Sequence, residues 1–352
     1  MEDYDAVIVG GGCAGTAAAF FLKEFRPEMS VLLIDRLDGK NFDLYHRMCG
    51  EAVSESAFRE LRPLRAEHVV HDINYVEERW PGGVVLGIRH RGYIVDRPRL
   101  LRSIQGRFLA RGGIMENDAL MSARRENGRY ELVCSSGRRI AARALIGADG
   151  SNSRVRRDIF GSQPPEVVWT EQYLVDKQVP DDKIVFIQGE QYDGGYRWEF
   201  PAGKHARIGF PRGTDVVKED IIEKHRRAIP TGGLDRIAEG RCYLVGDAAA
   251  MPNPLTFGGI RVAMLSGRQA AEALLWDDPC RYERWWRTSM FSHPSFMRAY
   301  RHFASLDDAG YAESSRVFGN GLLPLSFLKA MFRYPQYRDL YMAYVRSTIV
   351  GW

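Results

Sequence analysis

The chain has 352 residues, 45% of them hydrophobic and 27% charged, with a net charge of +4. That is length for two lobes, or for one domain with a large insertion, at an ordinary globular balance. So small an excess of charge, with no zinc-finger, RNP or helix-turn-helix signature, argues for no nucleic-acid partner, and five cysteines without a CxxC pair argue for a reducing compartment and no metal site.

At the N-terminus, "MEDYDAVIVGGG" opens with acids rather than with the basic region of a signal peptide, and no apolar run approaches the ~18 residues of a membrane span. The expected location is cytoplasmic, with attachment to a membrane surface left open. "DAVIVG" reads as a short buried strand, an alanine- and phenylalanine-rich helix follows, and "SVLLID" is a second buried strand. Between the strands, Gly10, Gly12 and Gly15 fit G-x-G-x-x-G. Gly10 allows the tight turn, Gly12 lets backbone N–H groups approach a pyrophosphate, and Gly15 lets helix and strand pack closely. Asp35 closes the second strand 20 residues after Gly15, where a carboxylate reaches ribose hydroxyls. Strand, turn, helix, strand and acid together predict a dinucleotide site.

"HRMCGEAVS" (His46–Ser54) follows. Its Cys49 admits four readings: core packing, half of a disulfide, a metal ligand, or a group lying over a cofactor. "GYIVDRPRLLRSIQGRFLARGG", from Gly92, reads as a strand end and a helix, and "GRYELVC" and "RIAARALIG" alternate like strands of a small sheet. "ARALIGADGSNSRVRR" runs a strand into Gly147, Asp149, Gly150 and a basic turn. From Trp169 to Gly213, strand-like runs alternate with turns at "PDD", "YDGG" and "PAGKH", which predicts a β-sheet lobe. On "GYRWEFP", Tyr196, Trp198 and Phe200 share one side of a strand, and Arg197 and Glu199 the other. Three aromatics on one face suit plain core or the wall of a greasy pocket.

"GRCYLVGDAAAMPNPLTFGGI" carries a strand to Gly246-Asp247, a loop with two prolines, and Gly258-Gly259. The helix after it has an apolar face that includes Ile260, Ala263, Met264, Gly267, Ala271 and Leu274. A carboxylate at a strand end, followed by a small-residue helix start, can hold ribitol hydroxyls while the helix N-terminus faces anionic oxygens. "CRYERWWRTSMF" reads as helical packing. In the C-terminal segment Leu325, Leu328 and Phe332 share one helical face, and Tyr337, Leu340, Tyr341 and Tyr344 another, with Lys329, Arg333, Arg338 and Arg346 among them. That pattern suits an element gripping anionic membrane lipid or a helical pair packed on the nucleotide domain.

These motifs resemble a known family. "GADGSNSRVR" is similar to the Asp-Gly fingerprint of flavoproteins with the p-hydroxybenzoate hydroxylase-like fold, and "YLVGDAA…NPLTFGGI" to their second FAD motif. Within that superfamily, the Y-x-W-x-F-P pattern from Tyr196 to Pro201 and the Cys49-Gly50 pair resemble the geranylgeranyl reductase family of FAD-dependent oxidoreductases. With "GYIVDR", the likeness covers most of the chain up to about Leu275. It implies an α/β fold (α+β, two lobes). A Rossmann-like FAD-binding domain would take residues 1–64, 96–162 and 238–290. An inserted antiparallel β-sheet substrate domain would take 65–95 and 163–237, and a C-terminal helical segment 291–352.

The resemblance further implies FAD contacts from Gly10, Gly12, Cys13, Ala14, Gly15, Asp35, Arg36, Arg47, Cys49, Gly50, Asp149, Gly150, Gly246, Asp247, Pro254, Gly258, Gly259 and Ile260. Arg99 is either a contact to the cofactor's phosphates or a solvated helix charge. Cys49, Gly50, Tyr196 and Trp198 fall at the reaction centre, and Tyr196, Trp198, Phe200 and Pro201 against the substrate. The reaction implied is saturation of C=C bonds in a geranylgeranyl-type isoprenoid chain on a lipid or diphosphate. Reduced flavin gives hydride to one carbon and the other takes a proton, through a transition state of cationic character that aromatic faces stabilise. The partners implied are a prenyl-lipid or other apolar small-molecule substrate, an electron donor (NAD(P)H or reduced ferredoxin), and a peripheral membrane contact. Two features depart from the family: Glu51 and Ala52 follow Gly50 where the family is richer in glycine, and Phe257 stands at a usual glycine. The alternative is an FAD-dependent monooxygenase or halogenase of the same fold, acting on an aromatic or apolar small molecule. The lysine that halogenation needs is missing from "GEAVSESAFRELRPLRAEH".

Overall fold

The computed structural model describes residues 2–320 and 324–351, with the side chains of 319–328, 349 and 350 outside the described set. Strands as uniformly apolar as "VLLID" are buried on both faces and need helices over them. They form the centre of the first sheet, whose order is Ala238–Glu239, Cys242–Leu244, Arg139–Gly147, Glu2–Val9, Val31–Asp35, Ile114–Asn117. Pairing is parallel from Cys242–Leu244 to Ile114–Asn117. The hairpin Leu120–Glu126/Arg129–Cys134 adds antiparallel strands on Arg139–Gly147. Helices Cys13–Phe25, Arg97–Ala110 and Ile260–Leu275 share one apolar core with this sheet.

Small residues let these helices approach closely. A Cβ on Gly267 would lie 2.2 Å from the Ala14 carbonyl oxygen, so Cys13–Phe25 and Ile260–Leu275 cross with backbones nearly touching. Their N-termini consequently end side by side at one edge of the parallel strands, the C-terminal edge where ligands of α/β sheets bind.

The second sheet has the order Ile221–Thr231, Glu166–Val175, His205–Pro211, Arg197–Ala202, Lys183–Ile187, Val69–Arg79, Val85–Val95, Ala52–Ser54. It is antiparallel except where Lys183–Ile187 runs parallel to Val69–Arg79, a departure from the all-antiparallel lobe expected. The short strand Ala52–Ser54 pairs with Val85–Val95, so the chain enters this sheet within the 1–64 segment. That entry fixes the Cys49–Glu51 turn to the sheet that carries the aromatic strand. Within the same sheet Gly209 makes room for the Trp198 ring, which lies across it; a Cβ there would meet the indole at 2.0 Å.

The C-terminal helices Ser295–Phe303, Asp308–Ser315, Pro324–Arg333 and Arg338–Val350 follow. Tyr337, Leu340, Tyr341 and Tyr344 are buried as one face, against Leu86 of the second sheet, Trp80 just after its strand Val69–Arg79, and Phe303 and Tyr311. The tail therefore packs on the second sheet rather than on the nucleotide core. Phe332 is 76% exposed; the side chains of Leu325 and Leu328 lie outside the described residues. Among the described residues no helix is long and apolar enough to cross a membrane.

Candidate active site

A cavity of about 470 Å³ takes its wall from both sheets. At one end the glycine turn opens onto it. Gly10 sits at φ +103, and a Cβ there would strike the Ala148 carbonyl oxygen at 2.3 Å. A Cβ on Gly12 would meet only the His46 ring, at 3.5 Å, so the space beyond this turn belongs to the cavity. Helices Cys13–Phe25 and Ile260–Leu275 begin here, with neither a side-chain cap nor an acid in the first turn. Their N–H groups and dipoles present positive potential to the cavity. Four buried nitrogens in the wall have no partner: Arg97 Nη2, His46 Nε2, Arg227 Nη1 and, at the aromatic end, Trp198 Nε1. Burial, reinforced by Arg97, Arg227 and Arg102, pushes the His46 pKa down to about 2, so its ring is neutral. Unpaired donors, two uncapped helix starts and a glycine cradle fit the pyrophosphate and ribitol of FAD.

The carboxylates around the cradle are largely committed to the protein. Asp35 accepts from the N–H groups of Gly11 (3.0 Å) and Leu37 (3.1 Å). Asp149 accepts from the Ser153 hydroxyl at 2.5 Å and from the N–H groups of Arg154 (2.6 Å) and Val155 (3.1 Å). It shapes the turn that brings Gly150 and Ser151 to the cavity. Asp247 lies 3.5 Å from Arg227 Nη2.

At the other end Tyr196, Trp198 and Phe200 line the cavity together, each less than a tenth exposed. The alternation holds: Arg197 and Glu199 point the other way and pair with each other, Arg197 also with Asp215 (2.9 Å) and Glu199 with Lys177 (3.0 Å). The Tyr196 hydroxyl donates to the Thr256 carbonyl, and burial raises its pKa well above the usual phenol range. Cys49 and Gly50 lie directly against this wall. A Cβ on Gly50 would meet the Phe200 ring at 2.4 Å, so only glycine admits the ring there. All five cysteines are free thiols, and Cys13 and Cys49 both line the cavity.

Of the residues expected at the site, six do not reach the cavity wall: Gly15, Arg47, Arg99, Pro201, Gly246 and Pro254. Gly15 and Gly246 are packing points. A Cβ on Gly15 would lie 1.8 Å from the Gly10 oxygen, and one on Gly246 would lie 3.0 Å from the Ala14 Cβ. Arg47 is exposed beside Glu223 (3.5 Å). Pro201 stays within its strand, and Pro254 lines a different cavity. Arg99 is 72% exposed, 3.5 Å from Asp96. Its place is taken by Arg97, two residues earlier on the opposite side of the first turn, buried, with Nε on the His46 carbonyl at 2.6 Å.

No family model matches the chain. It is 28% identical over 307 residues to digeranylgeranylglycerophospholipid reductase 1 of Methanopyrus kandleri, across 77% of this chain and 80% of that protein. It is 29% identical over 304 residues to the geranylgeranyl diphosphate reductase of Rhodobacter capsulatus, across 77% and 75%. The chain resembles the geranylgeranyl reductases. The solved structure of a geranylgeranyl bacteriochlorophyll reductase-like protein from Thermoplasma acidophilum matches with TM-score 0.80 over 97% of this chain and all of that one, at 20% identity. A flavin-dependent brominase shares the fold at TM-score 0.64 and 17% identity, over 97% of this chain and 93% of its own.

Of the residues that depart from the geranylgeranyl reductase pattern, Glu51 and Phe257 stand in the cavity wall with glycine-like backbones. Glu51 has φ +60 and Phe257 φ +49. Phe257 stacks on Tyr196 with ring centroids 5.3 Å apart and planes at 21°. Glu51 is buried and bridges three elements. Its carboxylate pairs with Arg207 and accepts from the Arg97 N–H at 3.2 Å, and its own N–H donates to Cys49 Sγ at 3.4 Å. It therefore caps the helix Arg97–Ala110, not the helix after it in sequence. Burial raises its pKa while Arg207 and Arg97 pull it down.

Arg227 was not foreseen from the sequence. It comes from Ile221–Thr231, an edge strand interrupted by Pro230, and Pro reads against a strand except at an edge. The alternation of His225, Arg227 and Ile229 was the available signal.

Proposed function

We propose that the chain is an FAD-dependent reductase that saturates C=C bonds of a geranylgeranyl-type isoprenoid chain carried on a lipid or a diphosphate. The observation that carries this is the close approach of Gly50 to Phe200, with Cys49 in the same cavity wall: the two motifs that set the geranylgeranyl reductase pattern apart meet there. The names of the relatives above, which act on such chains, support the same reading.

Bound FAD would supply hydride to one carbon of the double bond. The chain's own residues would do the rest. Gly12 and the helix starts at Cys13 and Ile260 would hold the anionic part of the cofactor, with Arg97 and Arg227 adding charge. Tyr196 and Trp198 would present π-faces to a carbon gaining positive character, and the aromatic wall would exclude water and align the alkene. The second carbon needs a proton. Tyr196 is a poor source, because its hydroxyl is committed to Thr256 and its pKa is raised. Both Glu51 oxygens are occupied as acceptors. Cys49 Sγ accepts from the Glu51 N–H, which leaves its S–H free to donate. Electrons would come from NAD(P)H or a reduced ferredoxin, and a lipid substrate would bring the protein to a membrane surface.

The test is anaerobic. The FAD-loaded protein, reduced with dithionite, is given geranylgeranyl diphosphate or a prenylated glycerophospholipid. Products heavier by pairs of hydrogens, with reoxidation of the flavin, are expected by mass spectrometry. Unchanged lipid over a stable reduced flavin overturns the proposal. Cys49→Ala is expected to bind FAD normally and to slow the reduction by about 10²-fold or more, the usual contribution of a placed acid; a normal rate removes Cys49 from proton transfer.

A further inference from the structure

A second cavity, of about 830 Å³, shares Pro252 with the first, so that the Met251–Gly259 loop stands between them. Its wall is divided by chemistry. Trp286, Phe291 and Phe296 supply apolar surface. Arg236, Arg287 and Arg301 supply three guanidinium groups, against one carboxylate, Asp235. Arg301 has no hydrogen-bond or ion-pair partner among the described residues. Arg287 makes a local surface pair with Glu283 at 3.0 Å, which exchanges readily for a better anion, and Arg236 lies over the Phe160 ring of the same wall and pairs with Glu239 at 3.1 Å. The Ser162 hydroxyl in the same wall is buried without a partner.

We infer that this cavity binds the phosphate or diphosphate head group of an amphiphile. Planar guanidinium forks match phosphate oxygens two at a time, and the neighbouring aromatic surface suits the first carbons of an apolar chain. An excess of cations beside apolar wall suits neither a neutral apolar ligand nor an acid-binding peptide. That the anion is the head group of the substrate whose chain enters the first cavity rests on the function proposed above; the anion site itself does not.

Calorimetric titration of the FAD-loaded full chain separates these points, because binding is read without turnover. The probes are geranyl diphosphate, geraniol and inorganic pyrophosphate. Arg301→Glu and, separately, Arg287→Glu are expected to weaken geranyl diphosphate about tenfold or more each, the scale of one lost charge-assisted pair, and to leave geraniol unchanged. Both arginines are on the surface, so the variants should fold, and Arg301→Lys, which keeps the charge and loses the fork, should fall between the unaltered chain and Arg301→Glu. Diphosphate affinity unchanged in both Glu variants overturns the site. Pyrophosphate that binds as tightly as geranyl diphosphate, with the same loss in the variants, makes the occupant a free anion and overturns the head-group assignment. Arginine-dependent geranyl diphosphate binding by a protein that reduces no C=C bond would sink the proposed reaction and leave this site standing.

Discussion

Phe257 holds a backbone conformation that a glycine would adopt without strain, φ +49, and offsets it by stacking on Tyr196 at 5.3 Å. A non-glycine residue there costs about 1–3 kcal/mol, and the stack returns about 0.5–1.5 kcal/mol beyond burial. Phe257→Gly is therefore expected to change stability by no more than about 1 kcal/mol, whereas Phe257→Ala, which keeps the strain and loses the ring, should cost about 2 kcal/mol or more; urea unfolding measures both. The same glycine variant should accept a bulkier alkene, because the ring stands in the cavity wall. His46 is the second residue with a measurable signature. Its pKa lies near 2 in the folded chain and near 6.5 when unfolded. The unfolded chain therefore binds the proton first, and folding stability is lost as pH falls below about 6.5. His46→Gln should remove about 1–2 kcal/mol of the stability loss between pH 7 and pH 5, measured by urea unfolding at each pH.

At the scale of elements, the turn at Cys49 and the strand Arg197–Ala202 act as one unit, because Gly50 leaves just enough room for Phe200. Gly50→Ala forces the ring aside and is expected to cost about 1–3 kcal/mol, the usual range for overpacking. Adding Phe200→Leu should recover part of that loss, and a double-mutant cycle reads the coupling. If the two substitutions add independently, the turn and the strand are not in contact. The last helix, Arg338–Val350, has its own pH sensor. Tyr344 donates to Glu78 at 3.1 Å, and burial lifts the Glu78 pKa to about 7. A carboxyl with a raised folded pKa is the better proton binder when folded, so its contribution falls as pH rises from about 4.5 to about 7. Glu78→Gln should flatten that part of the dependence of Tm on pH.

Taken whole, the molecule places its cavity where two sheets of different construction meet. The parallel sheet supplies the glycine turn and helix starts; the largely antiparallel one supplies the aromatic wall and Arg227. A cofactor bound there touches both and should stabilise them together. After removal of flavin, adding FAD to a thousand times its Kd is expected to stabilise the fold by about 4 kcal/mol. The gain should appear in a single thermal transition. Two transitions with only the first raised by FAD would mean that the sheets unfold independently.

Much of this arrangement is written locally in the chain. The turn at Gly10–Gly15 depends on glycines a few residues apart, so its geometry is legible from the residue types alone. The same is true of the Tyr196, Trp198 and Phe200 face, which needs only strand alternation. The tertiary structure decided the rest, because burial and pairing involve residues far apart in sequence. It chose Arg97 over Arg99 by which side of one helical turn met the His46 carbonyl. It brought in Arg227 from an edge strand that Pro230 obscures. It made Glu51 a bridge between Arg207, Cys49 and the helix at Arg97, and it laid the C-terminal tyrosines on Trp80. Short-range sterics and periodicity can be read from neighbours along the chain, whereas the environment of a charge or an aromatic ring is set by whatever folds against it.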